Sequence, residues 1–199
     1  HHLAGADLVG PILLGLEHPV NAVNHYSTVD EIVNMTAITV AAAERTRPAP
    51  APGAPDRAAF LTWLFFTANT LHADMRLLFY PARHAGSKEA IPDFWDVTQT
   101  RVERHLGLLE EVAARRPSWL APETPSVLGF YVVAILRWLA LYPTDRAGWF
   151  DLSDHPALGR LAAALEVRPA ALRAAAAEGL GPTIFTQPSH ACPPEGSAT

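Results

Sequence analysis

Residues 60–84, FLTWLFFTANTLHADMRLLFYPARH, decide how the rest of the chain is read. Leu61, Leu64, Ala68, Leu71, Met75 and Leu78 recur in steps of three and four, which predicts one apolar helical stripe turned into a core. Asn69, His72 and Arg76 follow the same alternation one residue later, with Phe65 at one end and Phe79 and Tyr80 at the other. A solvated helix face carries Glu–Lys pairs. An amide, an imidazole, a guanidinium and large aromatics instead predict a partly dry cleft that holds an anionic or polar ligand.

The 199 residues suffice for one ordinary domain, or for a small module on a larger one. With 49% apolar and 18% charged residues, the chain can bury a large core and wholesale disorder is excluded. Net charge is −5, Lys88 is the only lysine, and no basic block occurs, so no nucleic-acid partner is expected. The longest apolar stretch, Val127 to Leu141, is interrupted by Arg137 and falls short of the ~18 residues of a membrane helix, so no membrane partner is expected. The lone Cys192 excludes an internal disulfide and a multi-cysteine zinc site, and its Pro-rich surroundings predict an incidental exposed thiol. His18, His25, His84, His105 and His155 form no HxH or HxxxH pair and have no carboxylate in ligand register, so no metal is expected. Trp63, Trp95, Trp119 and Trp149 read as core or interface aromatics.

Residues 48–56, PAPAPGAPD, divide the chain, because four prolines and a glycine cannot continue a helix. Before them the pattern is mixed. Asp7 to Leu16 predicts a short helix weakened by Gly10 and Pro11, and Val20–Tyr26 with Thr28–Val33 predicts two paired strands. Met35 to Arg45 reads as a helix. After the linker every element reads as helix. Asp56 is the expected N-cap of the long helix, and Phe94 to Arg115 repeats Val102, Leu106, Leu109 and Val112 on one face. Ser126 is the expected cap of Val127 to Tyr142, whose all-round hydrophobicity predicts the central helix of a bundle. Ala157–Leu165 and Pro169–Ala177 are two shorter helices, the second closed by Gly179. A Pro-, Gly- and Ser-rich tail follows from residue 181, ordered at first and frayed at its end.

This order of segments resembles the cytosolic glutathione transferases of bacterial type. The resemblance spans roughly residues 3–187 and is firmest in WLFFTANTLHADMRLLFYPARH, RVERHLGLLEEV, SVLGFYVVAILRWLALYP and HPALGRLAAALEVRPAALRAAAAEGL. AGADLVGPILLGLEHPVNAV resembles the lead into the third strand of the family's thioredoxin-like domain, and IVNMTAITVAAAER its fourth strand and following helix. The implied fold is an α+β remnant of a thioredoxin-like domain followed by an all-α bundle, mostly α overall. The implied boundaries are 1–47 for the partial thioredoxin-like domain, 48–56 for the linker, 57–180 for the helical domain and 181–199 for the tail.

The resemblance implies glutathione as cosubstrate, a small apolar electrophile as acceptor, a homodimer and a cytoplasmic setting. It assigns the thiol-facing, catalytic position to His72, through the Leu71-His72 step. It assigns glutathione contacts to Asn24, Asn34, Met35, Thr36 and Arg76, and the acceptor pocket to Phe65, Asn69, Tyr80, Trp138 and Tyr142. Structural readings stand beside these: an interface histidine for His72, an interhelix ion pair for Arg76, and helix capping for Asn34 and Thr36. Against the family pattern the chain starts after the strand–helix–strand that carries the thiol-activating residue. Asn24 stands for the strand-opening proline, Asn34-Met35 for the Glu/Asp-Ser pair, and Gly129 for the acidic half of the capping box. The expectation is a glutathione transferase-like protein whose glutathione site is degraded, binding glutathione weakly or not at all and conjugating poorly as it stands. The alternatives are a non-catalytic binding or assembly module and a glutathione-dependent isomerase or dehydratase.

Overall fold

The computed structural model describes residues 12–13, 20–21, 49–146 and 148–192. In chain order the elements are β1 (Ile12–Leu13), β2 (Val20–Asn21), α1 (Arg57–Phe66), a π-helical turn (Thr67–Leu71), α2 (His72–Phe79), α3 (Ile91–Ala114), α4 (Val127–Leu141), α5 (Pro156–Glu166) and α6 (Pro169–Glu178). α1, the π turn and α2 run on without a break, so among the described residues the helical part consists of five rods.

β1 and β2 pair antiparallel, with Ile12 opposite Asn21 and Leu13 opposite Val20. The helix expected over Asp7–Leu16 is thereby overturned at its centre. Gly10 and Pro11 favour extended backbone at that point, and the apolar residues after them pair across a ladder. Val20 is a strand residue as expected, but its partner is β1, whereas Thr28–Val33 and the Met35–Arg45 helix lie outside the described residues.

α4 is the central helix. Twelve of its fifteen residues are buried, and the other three, Val127, Tyr131 and Ala140, are half-buried. α4 packs on α1 and α5, and α3 packs on α2, on the π turn and on α5. Val102, Leu106, Leu109 and Val112 of α3 all point into this core. That helix starts at Ile91, earlier than the expected Phe94, because Pro92 stands in the first turn, where an N–H has no helical partner.

At the start of α4 half a capping box is intact. Ser126 Oγ accepts from the Gly129 N–H at 3.1 Å and donates to the Trp119 carbonyl at 2.5 Å. A Cβ at Gly129 would stand 3.4 Å from Leu165 Cδ1, so the residue lacking the acidic half of the box also lets α5 approach closely. Asp56 differs from expectation. It occupies the N-cap position of α1 but makes no cap bond, and its carboxylate accepts from Ser118 Oγ instead.

The long helix buries a stripe that shifts register midway. From the last residue of the π turn onward, Leu71, Met75 and Leu78 are buried as expected. Earlier, in α1 and the first residues of the turn, Phe60 and Thr67 are buried, while Leu61, Leu64 and Ala68 are only half-buried. A π turn adds a residue to one helical turn and rotates the preceding face, so a stripe extrapolated backward at period 3.6 lands one position late.

Candidate functional site

The residues of α2 that face α4 build an aromatic and imidazole cluster. His72 Nδ1 lies 2.6 Å from Tyr131 Oη, and the His72 ring packs against Tyr131 and Trp138 with centroids 5.7 Å away in each case. One step farther along both helices, Phe79 meets Tyr142 at 5.9 Å, and His190 of the tail meets Tyr142 from another side at 5.4 Å. The cluster exists because His72 and Phe79 fall on one face of α2, and Tyr131, Trp138 and Tyr142 recur at helical spacing along and just beyond α4.

Burial sets the protonation of the pair. It lowers the His72 pKa to about 4 and raises that of Tyr131 to about 12, so both are neutral near pH 7. The Tyr131 hydroxyl has no other acceptor among the described residues, and a part-buried hydroxyl proton needs one. Tyr131 therefore donates to an unprotonated Nδ1, which leaves the proton of the neutral ring on Nε2. A neutral donor is thus presented beside Trp138.

The other expected site residues are distributed differently. Trp138 is buried and Tyr142 half-buried, both within the cluster. Phe65 is 60% exposed, and Asn69 is exposed with no hydrogen bond to the cluster among the described residues. Arg76 lies on the exposed side of α2, and Tyr80 stacks under the Arg83 guanidinium at 4.9 Å. Asn24, Asn34, Met35 and Thr36 lie outside the described residues. A separate cavity of about 370 Å³, lined by Pro50, Asp56, Trp119, Ser126 and Arg168 among others, shares no residue with the His72 cluster.

The chain resembles solved glutathione transferases over most of its length. A sphingomonad glutathione S-transferase complexed with glutathione is 27% identical, with 84% of this chain and 73% of that one covered at a TM-score of 0.53. A bacterial beta-class glutathione S-transferase from Sphingomonas chungbukensis is 24% identical, with 83% and 72% covered and a TM-score of 0.53. The chain has a glutathione transferase fold. Residues 1–40, by contrast, match the model of a different family, described as phosphate acetyl/butaryl transferase. A search of the curated proteins finds no match. Of the thioredoxin-like part expected over 1–47, the described residues hold only the two-residue strands β1 and β2, and no thioredoxin-like arrangement is visible in them.

Three buried charges of this glutathione transferase fold were not assigned from sequence. Arg137, on the central helix, donates to the carbonyls of Ile184 at 3.0 Å and Ser189 at 2.7 Å, and desolvation lowers its pKa. Glu166, at the end of α5, accepts from the N–H groups of Phe185 and Thr186 and from the Thr186 hydroxyl. Together they pin the start of the tail against the bundle, so that His190 reaches Tyr142. Asp74 accepts from Arg101 at 2.6 Å and pairs with His105 Nε2 at 2.9 Å, leaving His105 Nδ1 and Thr67 Oγ1 buried without a partner among the described residues. Arg137 and Asp74 did leave a signal, since each interrupts an apolar stripe and a buried charge needs a partner. The partner's identity is long-range and left none. No group of three His, Cys, Asp or Glu that could hold a metal occurs among the described residues, and no described helix is long and apolar enough to cross a membrane.

Proposed function

We propose that the helical domain supplies the acceptor-side half of a glutathione site, in a glutathione transferase-like protein. The observation that carries the reading is the 2.6 Å bond between His72 Nδ1 and Tyr131 Oη, which holds a neutral imidazole with its Nε2–H free to donate to a thiolate. A thiolate is the species that attacks an electrophile, and a hydrogen bond to it favours the charged form. In the conjugation step the sulfur forms a bond to the electrophilic carbon, the leaving group departs with its electron pair, and the thiol proton is lost to solvent. On this reading the apolar acceptor packs against Trp138, Tyr142 and Phe79, and Arg76, on the exposed side of α2, takes a peptide carboxylate. The sphingomonad relative solved with glutathione supports the same ligand. Homodimerisation and a cytoplasmic setting belong to this proposal and rest on the family alone.

One hydrogen-bond donor does not suffice for efficient catalysis. Without a thiol-activating partner a thiol stays near its solution pKa of ~8.5 and is mostly protonated at neutral pH. The 199-residue chain is therefore expected to bind glutathione weakly and to conjugate close to the uncatalysed rate. Titration calorimetry with glutathione on the wild-type chain and on His72→Ala tests this. An affinity loss of about tenfold in the variant, or roughly 1.4 kcal/mol, is expected. Equal affinities in two folded proteins, or no binding by either, would remove His72 from the site.

The match of residues 1–40 favours a second reading for that stretch. There it is a piece of a phosphate acyltransferase-like unit, and the helical domain is a binding or assembly module joined to it. A conjugation assay with a reactive aromatic halide separates the two readings, since robust turnover by the chain requires a thiol-activating group that the module lacks.

A further inference from the structure

We propose that the cavity between the linker, the loop leading into α4 and the start of α6 binds a small zwitterion, a free α-amino acid with an apolar side chain. The cavity shares no residue with the His72 cluster, and nothing in it depends on the glutathione reading.

Its walls are held in place by the protein's own bonds. On the linker side, Ala49 packs against the helical core and the Pro50 carbonyl accepts from Arg57 Nη1 at 2.6 Å. The Ala51 carbonyl accepts from the Ala54 N–H at 3.0 Å. On the loop side, the Leu120 N–H donates to the Pro117 carbonyl at 2.9 Å, and the Thr124 hydroxyl donates to the Ser118 carbonyl. Ser118 Oγ ties this loop to the linker through Asp56. Arg168 Nη2 ties it to the start of α6, donating to the carbonyls of Glu123 at 3.1 Å and Pro122 at 3.5 Å. About 370 Å³ stays open between these walls, in the lower part of the range of small-molecule sites.

The bonding capacity left in the walls defines the ligand. Each wall hydroxyl has given its proton to the protein: Ser118 to Asp56, Thr124 to the Ser118 carbonyl, and Ser126 to the Trp119 carbonyl. Ser126 also accepts from the Gly129 N–H, so it is spent on structure. A hydroxyl has one proton to give, so Ser118 and Thr124 can only accept from a ligand. Among the described residues the wall's free side-chain donors are Nη1 and Nε of Arg168 and Nε1 of Trp119.

Two opposite charges frame the cavity without meeting. Asp56 stands at the N-cap position of α1, where a carboxylate ordinarily caps the helix, yet it makes no cap bond. Its Oδ2 accepts from Ser118, and Oδ1 accepts from nothing among the described residues. Arg168 lines the same space, but no ion pair among the described residues joins it to Asp56. Glu123, the third charge of the wall, is already matched by Arg116. A simple cation would leave Arg168 unanswered, and a simple anion would leave Asp56 unanswered. A zwitterion answers both, with its ammonium on Asp56 and the accept-only hydroxyls and its carboxylate in the Arg168 fork. Ala49, Pro50, Ala54 and Pro125 complete the wall with carbon surface suited to an aliphatic side chain.

Titration calorimetry on the intact 199-residue chain tests this with L-leucine and its two halves. Isoamylamine lacks the carboxylate and isocaproate lacks the ammonium. L-leucine is expected to bind saturably with a dissociation constant on the order of 1 mM, and each half at least about tenfold more weakly. Asp56→Asn keeps an acceptor for Ser118 and removes only the charge, and Arg168→Gln removes the fork. Each is expected to weaken L-leucine binding about tenfold, with the melting temperature reporting whether the variant is folded. No saturable binding of L-leucine overturns the proposal. Equal binding of either half overturns the zwitterion assignment, and unchanged affinity in folded Asp56→Asn places the binding elsewhere and overturns the site. The comparison of L-leucine with its halves needs no variant, so it decides the matter whichever substitutions fold.

Discussion

α4 carries a buried charge and a half-buried phenol and uses them in opposite ways. At Arg137 it buries a charge, and both of the bonds that this charge makes go to main-chain carbonyls of the tail. At Tyr131 it half-buries a neutral phenol whose bond goes to another side chain, His72, and serves no main-chain group. Glu110 and Glu166 follow the first pattern, since their carboxylates satisfy N–H groups at a helix start and in the tail. Arg137 and Glu166 close loose backbone and Asp74 ties together side chains of α3, whereas the His72–Tyr131 pair closes no main-chain group. A half-buried polar pair that satisfies no main-chain group is the better candidate for ligand chemistry.

The sharpest way to break that contrast is to remove a charge on the structural side. Glu166→Ala leaves the Phe185 N–H buried without its acceptor and frees the Thr186 N–H and hydroxyl. We expect a stability loss of about 3 kcal/mol or more, because a hydrogen bond to a charged group is lost and a buried donor is orphaned. Denaturant midpoints would measure the loss, and hydrogen exchange should show protection disappearing first at Phe185. A cost below ~1 kcal/mol would mean that the tail is not held by this carboxylate.

The cleft side should answer to pH through His72. Burial lowers the folded pKa of His72 from 6.5 to about 4, so as pH falls the unfolded chain takes up the proton first. The neutral ring costs no stability above about pH 6.5, and stability is lost progressively as pH falls from there towards 4. The full loss is roughly 3 kcal/mol at this shift. His72→Gln should flatten the difference between urea midpoints taken near pH 7 and near pH 4.5. The same pH slope in wild type and His72→Gln would show that the ring is not held neutral by burial.

These distinctions follow the limits of what a sequence displays. Periodicity displayed the bundle: Val102, Leu106, Leu109 and Val112 are buried together, and the all-round apolar segment is the central helix. It misplaced the stripe before Leu71, because a π turn is a local change of period with no residue signature of its own here. The resemblance assigned His72 to the thiol and Trp138 to the acceptor pocket, but Tyr131, about two turns before Trp138 on α4, was missed and reads there as one more apolar residue. The bonds of Arg137, Glu166 and Glu110 were hidden for a different reason. Each joins segments far apart in the chain, and nothing in a local pattern names the partner. The first 40 residues show the opposite hazard, since short apolar runs and an Asn-Met-Thr step fitted a thioredoxin-like reading while the family-model match there is to another family.

The smallest expected effect lies in Tyr131→Phe, and it sharpens the comparison most finely. The substitution keeps the ring that packs beside His72 and removes only the hydroxyl that donates to Nδ1. Stability should fall by about 1 kcal/mol, the net worth of one hydrogen bond between neutral groups. The more telling readout is the tautomer. In the wild-type chain the nitrogen NMR shifts of His72 should report a proton fixed on Nε2, because Tyr131 occupies Nδ1 as donor. In Tyr131→Phe nothing holds Nδ1 as an acceptor, so the ring should become a mixture of the two neutral forms. Its mean ability to donate from Nε2 should fall, and glutathione affinity with it, by severalfold rather than by the tenfold expected of His72→Ala. If the ring nitrogens of the variant keep the wild-type shifts, Tyr131 is only a packing neighbour. The orientation of the His72 proton would then have to come from outside the described residues.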